Sequence, residues 1–327
     1  MKQSRRYQIQ KRKRGGHAAL CDEARAVLGA ALRLLEQARV HEKAALRGGG
    51  PETIHQFRVC LRKSRSALSL GACLLPPKPL REWKTKLADV CRRTNHLRDL
   101  DVHLAELQGS KKILPQPLHA GLGVFKREVK TARDTEAAAV MAVFSSPEHD
   151  KQMSAVLASL ANAAATNSRD RRPAEVAQSV AAAFIGRRFQ KIILRVESLA
   201  PNTSEAELHK IRIDCKKLRY ALDIFGGILN PKPVKALTKD LARLQKILGR
   251  LNDNSVQQRF LFEARWLKTA ASDSRLSMCL GGLATHLHTK HQGLRAAAIE
   301  ALRDFRSGRA KIHISRILKT ATPPATA

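Results

Sequence analysis

The strongest constraint on this chain is that its sequence holds the same unit twice. Moving from position 55 to position 209, a displacement of 154, lays HQFRVCLRKSRSALSLGACLLPPKPL on HKIRIDCKKLRYALDIFGGILNPKPV without a gap. The same displacement lays LADVCRRTNHLRDLDV on LARLQKILGRLNDNSV. Identical pairs include His55/His209, Arg58/Arg212, Lys63/Lys217, Arg65/Arg219, Pro77/Pro231, Leu97/Leu251 and Asp99/Asp253, and Arg62/Lys216 keeps its charge. A register held over about fifty positions marks a duplicated structural unit. Whatever the first half builds, the second builds again.

Each unit reads as four helices. Apolar residues recur at helical spacing over roughly 18–47, 52–74, 79–108 and 115–145, and again over 173–200, 205–229, 233–268 and 273–306. Gly48-Gly49-Gly50-Pro51, Pro76-Pro77, Pro147, Pro201, Asn230-Pro231 and Ser272 supply the breaks. Aromatic residues make up only 4% while hydrophobic residues reach 43%, which suits Ala- and Leu-rich helices with a real core. Short loops between long helices favour antiparallel neighbours. The expected architecture is all-α: two tandem, pseudo-symmetric four-helix bundles over 18–148 and 173–306. A linker at 149–172 carries a short helix and the polar run NSRDRR, and basic disordered segments are expected at 1–17 and 307–327. Residues 1–21 hold seven Lys or Arg and residues 305–327 hold five, with no acid in either stretch, so they read as salt-sensitive arms for a polyanion or as solubilising tails.

The second helix of each unit carries the candidate site. On a wheel of about 100° per residue, His209, Arg212, Lys216 and Arg219 share an arc of about 80°. Leu208, Ile211, Cys215, Leu218 and Leu222 fill the adjoining arc, and Lys210 and Lys217 point away. The first unit repeats the layout, with His55, Arg58, Arg62 and Arg65 beside Ile54, Phe57, Leu61 and Leu68. The competing reading is an ordinary solvated face, but such faces mix signs through i,i+4 pairs. These stripes contain no acid in either copy, and they border the apolar seam. A bound anion offsets the repulsion. Arginine grips phosphate oxygens two at a time, and a histidine among cations titrates low until an anion arrives. Asp99 and Asp253, kept in both copies on the third helix, read as carboxylates that hold a stripe arginine in one rotamer; a catalytic carboxylate is the alternative.

The net charge of +32 directs attention to polyanions: nucleic acid, anionic membrane or inorganic polyphosphate. No run approaches the ~18 apolar residues of a membrane span, and no apolar stretch follows the basic N-terminus as a secretory signal requires. Six cysteines are scattered with no C-x-x-C pair, the pattern of reduced core thiols in a cytosolic protein. HLHTKH places His288 and His291 on one helix face without companion ligands, so it reads as a surface cluster; no metal and no cofactor are expected. No G-x-x-x-x-G-K-[ST] or G-x-S-x-G motif occurs.

H-x-x-R-x-x-x-[RK]-x-x-R, followed on the third helix by L-[RN]-D-x-x-V and present twice, resembles the CHAD domain, the conserved histidine α-helical domain. The fits are His55-Arg58-Arg62-Arg65 with LRDLDV and His209-Arg212-Lys216-Arg219 with LNDNSV; KLRYALDIF after the second stripe is especially similar. The resemblance covers 18–306 as a single domain of that kind. It implies two bundles facing each other across a basic central groove or pore, non-catalytic binding of inorganic polyphosphate, and in some members association with polyphosphate granules, hence a cytoplasmic location. Many relatives carry a triphosphatase domain ahead of the CHAD, with an E-x-E-x-K strand motif. That motif is absent here and the lead is short, so a stand-alone binder without enzymatic activity is expected.

Carried over by position, the resemblance assigns ligand contact to the two stripes. Weaker candidates are Arg25, Arg33, Arg187, Arg188 and Lys191 on the first helices and Lys63 and Lys217 beside the stripes. Arg92, Arg93, Arg98, Lys246 and Arg250 on the third helices complete that set. Arg98 faces Asn252 in the other copy, so the half-sites are expected to bind unequally. Two other functions stay open. A nucleic-acid backbone binder fits the charge, although few aromatics are available for stacking. A phosphohydrolase would use His55 or His209 with Asp99 or Asp253.

Overall fold

The computed structural model describes residues 22–165, 174–200 and 202–320. The basic arm 1–17, Cys21, the run NSRDRR and the last seven residues, 321–327, lie outside the described residues. The first half contains α1 (Asp22–Leu46), α2 (Pro51–Leu70), α3 (Pro77–Arg93), α4 (Asn95–Gly109), α5 (His119–Phe144) and α6 (Pro147–Ala165). The second contains α7 (Ala174–Glu197), α8 (Glu205–Phe225), α9 (Pro231–Leu261), α10 (Ala264–Ala271), α11 (Ser274–Ser307) and α12 (Arg309–Thr320). The all-α expectation holds. No helix among the described residues is long and apolar enough to cross a membrane.

Local chemistry sets the starts. Pro51 opens α2 behind Gly48, whose φ of +84° belongs to glycine. Ser204 caps α8, its Oγ accepting the Glu207 N–H at 3.3 Å. Asn230 caps α9 ahead of Pro231, and Asp273 accepts the Arg275 N–H at 2.9 Å and the Leu276 N–H at 3.3 Å to cap α11.

Four expected boundaries change. The third helix of the first unit breaks at Thr94 (φ −104°, ψ 2°) into α3 and α4, whereas its counterpart α9 runs unbroken for 31 residues. The helix expected over 233–268 ends at Leu261, and α10 follows separately. The short helix of the linker is α6, with 19 residues. Met153, Val156 and Leu160 bury its apolar face, and His149 Nε2 stands 3.2 Å from Glu42 Oε2 of α1. Arg39 bridges Glu42 and Asp150 beside it. The tail expected to be disordered forms α12 over Arg309–Thr320. Ala310, Ile314 and Ile317 recur at i, i+4 and i+7 and bury against α7 and α9.

The apolar interior does not divide at the repeat boundary. A larger cluster gathers α1, α2, α3, α6, α7, α8, α12, the stretch of α9 from Leu237 to Leu251, Leu97 of α4 and the ends of α5 and α11. A second cluster is built jointly: Leu100, Leu107, Leu122 and Phe125 of the first half meet Phe260, Trp266, Leu276 and Leu283 of the second. Phe125 meets Trp266 edge-on at 5.5 Å and Phe260 at 6.0 Å between ring centroids. At Gly121 a Cβ would stand 2.0 Å from the Arg275 carbonyl oxygen, so α5 and α11 touch where only glycine fits. Each half thus completes its fold with helices of the other. Cys60, Cys91, Cys215 and Cys279 are buried and free.

Candidate anion-binding site

The stripe helices α2 and α8 pack against each other across the repeat boundary. Each presents its apolar arc to the larger cluster, which leaves the adjoining cationic arcs at the seam. Arg62 of the first half lies close enough to Arg212 and Lys216 of the second to depress the proton affinity of both. Lys216 responds most. Burial first, then Arg212, Arg62 and Arg219, pull its pKa from the ordinary 10.5 to about 8. Among the described residues, Lys216 makes no ion pair.

Buried donors along the stripes lack partners. His55 Nδ1, Arg58 Nε, Arg65 Nε and Arg212 Nε are shielded from water and make no hydrogen bond. Native proteins leave few such groups, and each calls for a ligand or another physical cause. The His55 ring is held below its ordinary value by burial and by Arg98, Arg62 and Arg58, with Glu52 opposing.

The two arginines at the second stripe position differ. Arg58 is buried, and its Nη1 donates to Cys91 O at 2.9 Å, Thr94 Oγ1 at 2.9 Å and Asn95 Oδ1 at 2.8 Å. The break in the first third-helix frees that carbonyl, and the guanidinium holds the corner. The sequence assigned Arg58 to ligand alone; in the structure Nη1 is committed to the fold. In the second half Leu248 stands where Thr94 would, α9 continues, and Arg212 makes no such anchor. Gln245 instead reaches Cys215 O at 3.0 Å. Burial lowers the proton affinity of Arg58 and Arg212 alike.

Two clefts open along α8. One, of about 420 Å³, is lined by His209, Lys210, Arg212, Asn252 and Arg259 over a floor of Leu208 and Leu251, with Glu205 at its wall. There His209 Nδ1–H donates to Asn252 Oδ1 at 2.8 Å. The other, of about 260 Å³, is lined by Arg33, Lys63, Tyr220 and Asp223. Asp223 holds its proton more strongly than usual through partial burial, against the pull of Arg219 and Lys63. His209 and Tyr220 are about 16 Å apart along the helix at ~1.5 Å per residue, and Lys216 lies between them.

Arg98 is half-buried beside His55 and Arg58. Arg93, Arg187, Lys246 and Arg250 are exposed, Lys217 and Arg25 are half-buried, and Arg92 is exposed and paired with Asp89. Lys191 is engaged elsewhere, at 3.3 Å from Asp214, which Arg195 Nε also meets at 3.1 Å. Asp214 therefore pins α7 to α8, off the stripe, together with Glu207, whose Oε2 lies 3.1 Å from Arg195 Nη1. Arg188 stacks over Phe184 at 4.6 Å. Asp99 and Asp253 are exposed and act at longer range, Asp99 on Arg58 and Asp253 on Arg212 and Lys216. Neither makes an ion pair among the described residues, so the expected carboxylate–arginine clamp is not formed.

Thr94, Asn95, Asn252 and Arg259 also shape the site. Only Asn252 and Arg259 carried a signal, because 252, 255 and 259 share one face of α9. His291 of HLHTKH is tied down, with Nδ1 at 3.1 Å from Asn254 Oδ1 and Nε2 at 2.8 Å from Glu205 Oε1. Among the described residues no three His, Cys, Asp or Glu cluster as a metal site requires. Burial pushes the Cys215 thiol up to about 12 and Cys279 to about 11, which leaves both unreactive.

The fold and site define an all-helical, internally duplicated protein whose two halves place cationic helices side by side. Residues 29–262 match the CHAD domain, and the chain belongs to the CHAD domain family. Its fold is similar to the crystal structure of the CHAD domain from the plant Ricinus communis, with a TM-score of 0.68 and 25% identity over 88% of this chain and 96% of that one. It is also similar in fold to PptA from Streptomyces chartreusis, with a TM-score of 0.63 and 14% identity over 86% of this chain and 99% of that one. No curated protein matches this chain in sequence.

Proposed function

We propose that this protein binds inorganic polyphosphate, without hydrolysing it, along the cationic track between α2 and α8. The observation that carries the reading is the set of buried, unpartnered donors on both stripes around Arg62, Arg212 and Lys216. A chain of phosphates supplies closely spaced oxygens to such donors, and membership of the family, which the sequence already resembled in its polyphosphate-binding motifs, favours this polyanion over others. Polyphosphate would also carry the protein to cytoplasmic granules.

The test is the double variant Arg62→Glu/Lys216→Glu, which leaves the Arg58 corner intact. Polyphosphate affinity should fall about 100-fold or more at physiological salt, and the wild-type affinity should drop steeply as salt rises through counterion release. Helicity should not change. Retained affinity would remove the track from consideration. Displacement of polyphosphate by duplex DNA or RNA at equal phosphate concentration would favour a nucleic-acid ligand. Shortening of the polyphosphate with Mg²⁺, lost in His55→Ala/His209→Ala, would make the protein a phosphohydrolase.

A further inference from the structure

Away from the cationic track, a cleft of about 320 Å³ is lined by α4 of the first half and by α9 and α11 of the second. Leu107, Phe260, Leu283 and Leu287, all buried, give it an apolar floor. The His103 ring lies flat on Phe260, with 3.6 Å between centroids and 10° between planes, and fixes that wall. Four polar side chains complete the lining: Glu106 from α4, Gln257 from α9, and His286 and Lys290 from α11. Among the described residues, none of the last three makes a side-chain hydrogen bond or an ion pair. Glu106 is half-buried and has only His103 near it, whose Nδ1 stands 3.8 Å from Oε2, beyond hydrogen-bond reach. That oxygen is shielded from water and makes no hydrogen bond. A partly buried carboxylate without a donor is costly, and on the wall of a cleft it calls for a ligand that supplies one.

We propose that this cleft binds a free α-amino acid with an aliphatic side chain. The charges decide the class. A carboxylate stands on the α4 wall, while His286 and Lys290 follow each other one turn apart on α11. A phosphate would be repelled by Glu106, and a simple amine would leave Lys290 unanswered. A zwitterion answers both walls. Its ammonium group donates to the Glu106 carboxylate, its carboxylate accepts from Lys290, and the leucine floor takes its side chain. The Gln257 amide, with a donor and an acceptor, can serve either end. A metal ion is a poorer fit, because among the described residues Glu106, His103 and His286 do not gather as a metal site requires. The volume lies at the small end of ligand cavities, which run from about 300 to 1,000 Å³, so it suits one amino acid rather than a large cofactor. Glu106 comes from one half and Lys290 from the other, so the ligand ties the two halves together. This inference does not rest on the polyphosphate reading.

Isothermal titration calorimetry on the intact protein tests it, with L-leucine as the probe. One L-leucine should bind per chain. Three analogues each lack one part: glycine the side chain, 3-methylbutylamine the carboxylate, and 4-methylpentanoate the ammonium group. Each should bind at least about tenfold more weakly than L-leucine. Glu106→Gln and Lys290→Met should each weaken L-leucine binding about tenfold, whereas Lys290→Arg should keep most of the affinity. Lys268→Met, at an exposed position of α10 outside the cleft, should change nothing. L-leucine should also raise the melting temperature of the wild type, and far less that of Glu106→Gln, whose helicity by circular dichroism should match the wild type. No saturable heat with L-leucine up to about 10 mM overturns the proposal. So does equal affinity for 3-methylbutylamine, or full affinity in a folded Glu106→Gln.

Discussion

Arg58 and Arg212 occupy the same position in the repeat and do opposite things. In the first half the third helix breaks at Thr94, and Arg58 is drawn inward to hold Cys91 O, Thr94 and Asn95. In the second half α9 runs through, no carbonyl is released, and Arg212 stays with Arg62 and Lys216 at the seam. Duplication preserved the residue while the backbone beneath it diverged. One copy contributes an arginine anchored to the backbone corner, and the other contributes one left at the seam near Arg62 and Lys216. The asymmetry expected from Arg98 and Asn252 is thus wider than a single substitution.

The sharpest way to break this comparison is to truncate each arginine. Arg58→Ala leaves two buried acceptors, Cys91 O and Thr94 Oγ1, and the exposed Asn95 Oδ1 without their donor and should cost about 3 kcal/mol of stability, whereas Arg212→Ala should stay within about 0.5 kcal/mol. Urea unfolding of both variants decides it, and equal losses would mean the two halves are equivalent after all. A smaller effect concerns pH. Lys216 has a folded pKa of about 8, below its ordinary 10.5, so the ligand-free protein gains stability from this group as pH rises from about 8 to 10.5. A bound polyanion raises that pKa again, so binding near pH 8.5 takes up protons and affinity declines as pH climbs. Calorimetry in buffers of different ionisation enthalpy measures the uptake, which should vanish in Lys216→Arg. The smallest effect comes from Asn252→Arg, which restores the cation the first half has in Arg98. It should strengthen polyphosphate binding about threefold and steepen its salt dependence by roughly one counterion.

The repeat and its wheel made much of this legible. The helices, the stripes beside the core, and the offset of Lys210 from the track all follow from spacing. The break at Thr94 was hidden because the two copies align there without a gap, so the difference lies in backbone path rather than in length. The helix at Arg309–Thr320 was hidden by its charge: Ala310, Ile314 and Ile317 had the right spacing, but the basic residues between them resembled a tail. Lys191 reads as a free cation until Asp214 is seen to face it. Periodicity tells which face of a helix is buried and not which helix buries it, so the sharing of α4, α5, α9 and α11 between halves was beyond its reach.

That sharing changes what the duplication means. A single repeat released on its own would show water Leu100, Leu122 and Phe125, the face that Phe260, Trp266 and Leu283 cover in the whole chain. Two severed repeats would have to find each other before either was finished. The track between α2 and α8 has no existence in one of them, since its charges come from both. The doubled sequence is therefore an inherited partnership written into one polypeptide, and the seam where the two former equals meet is the place where cations from both are gathered.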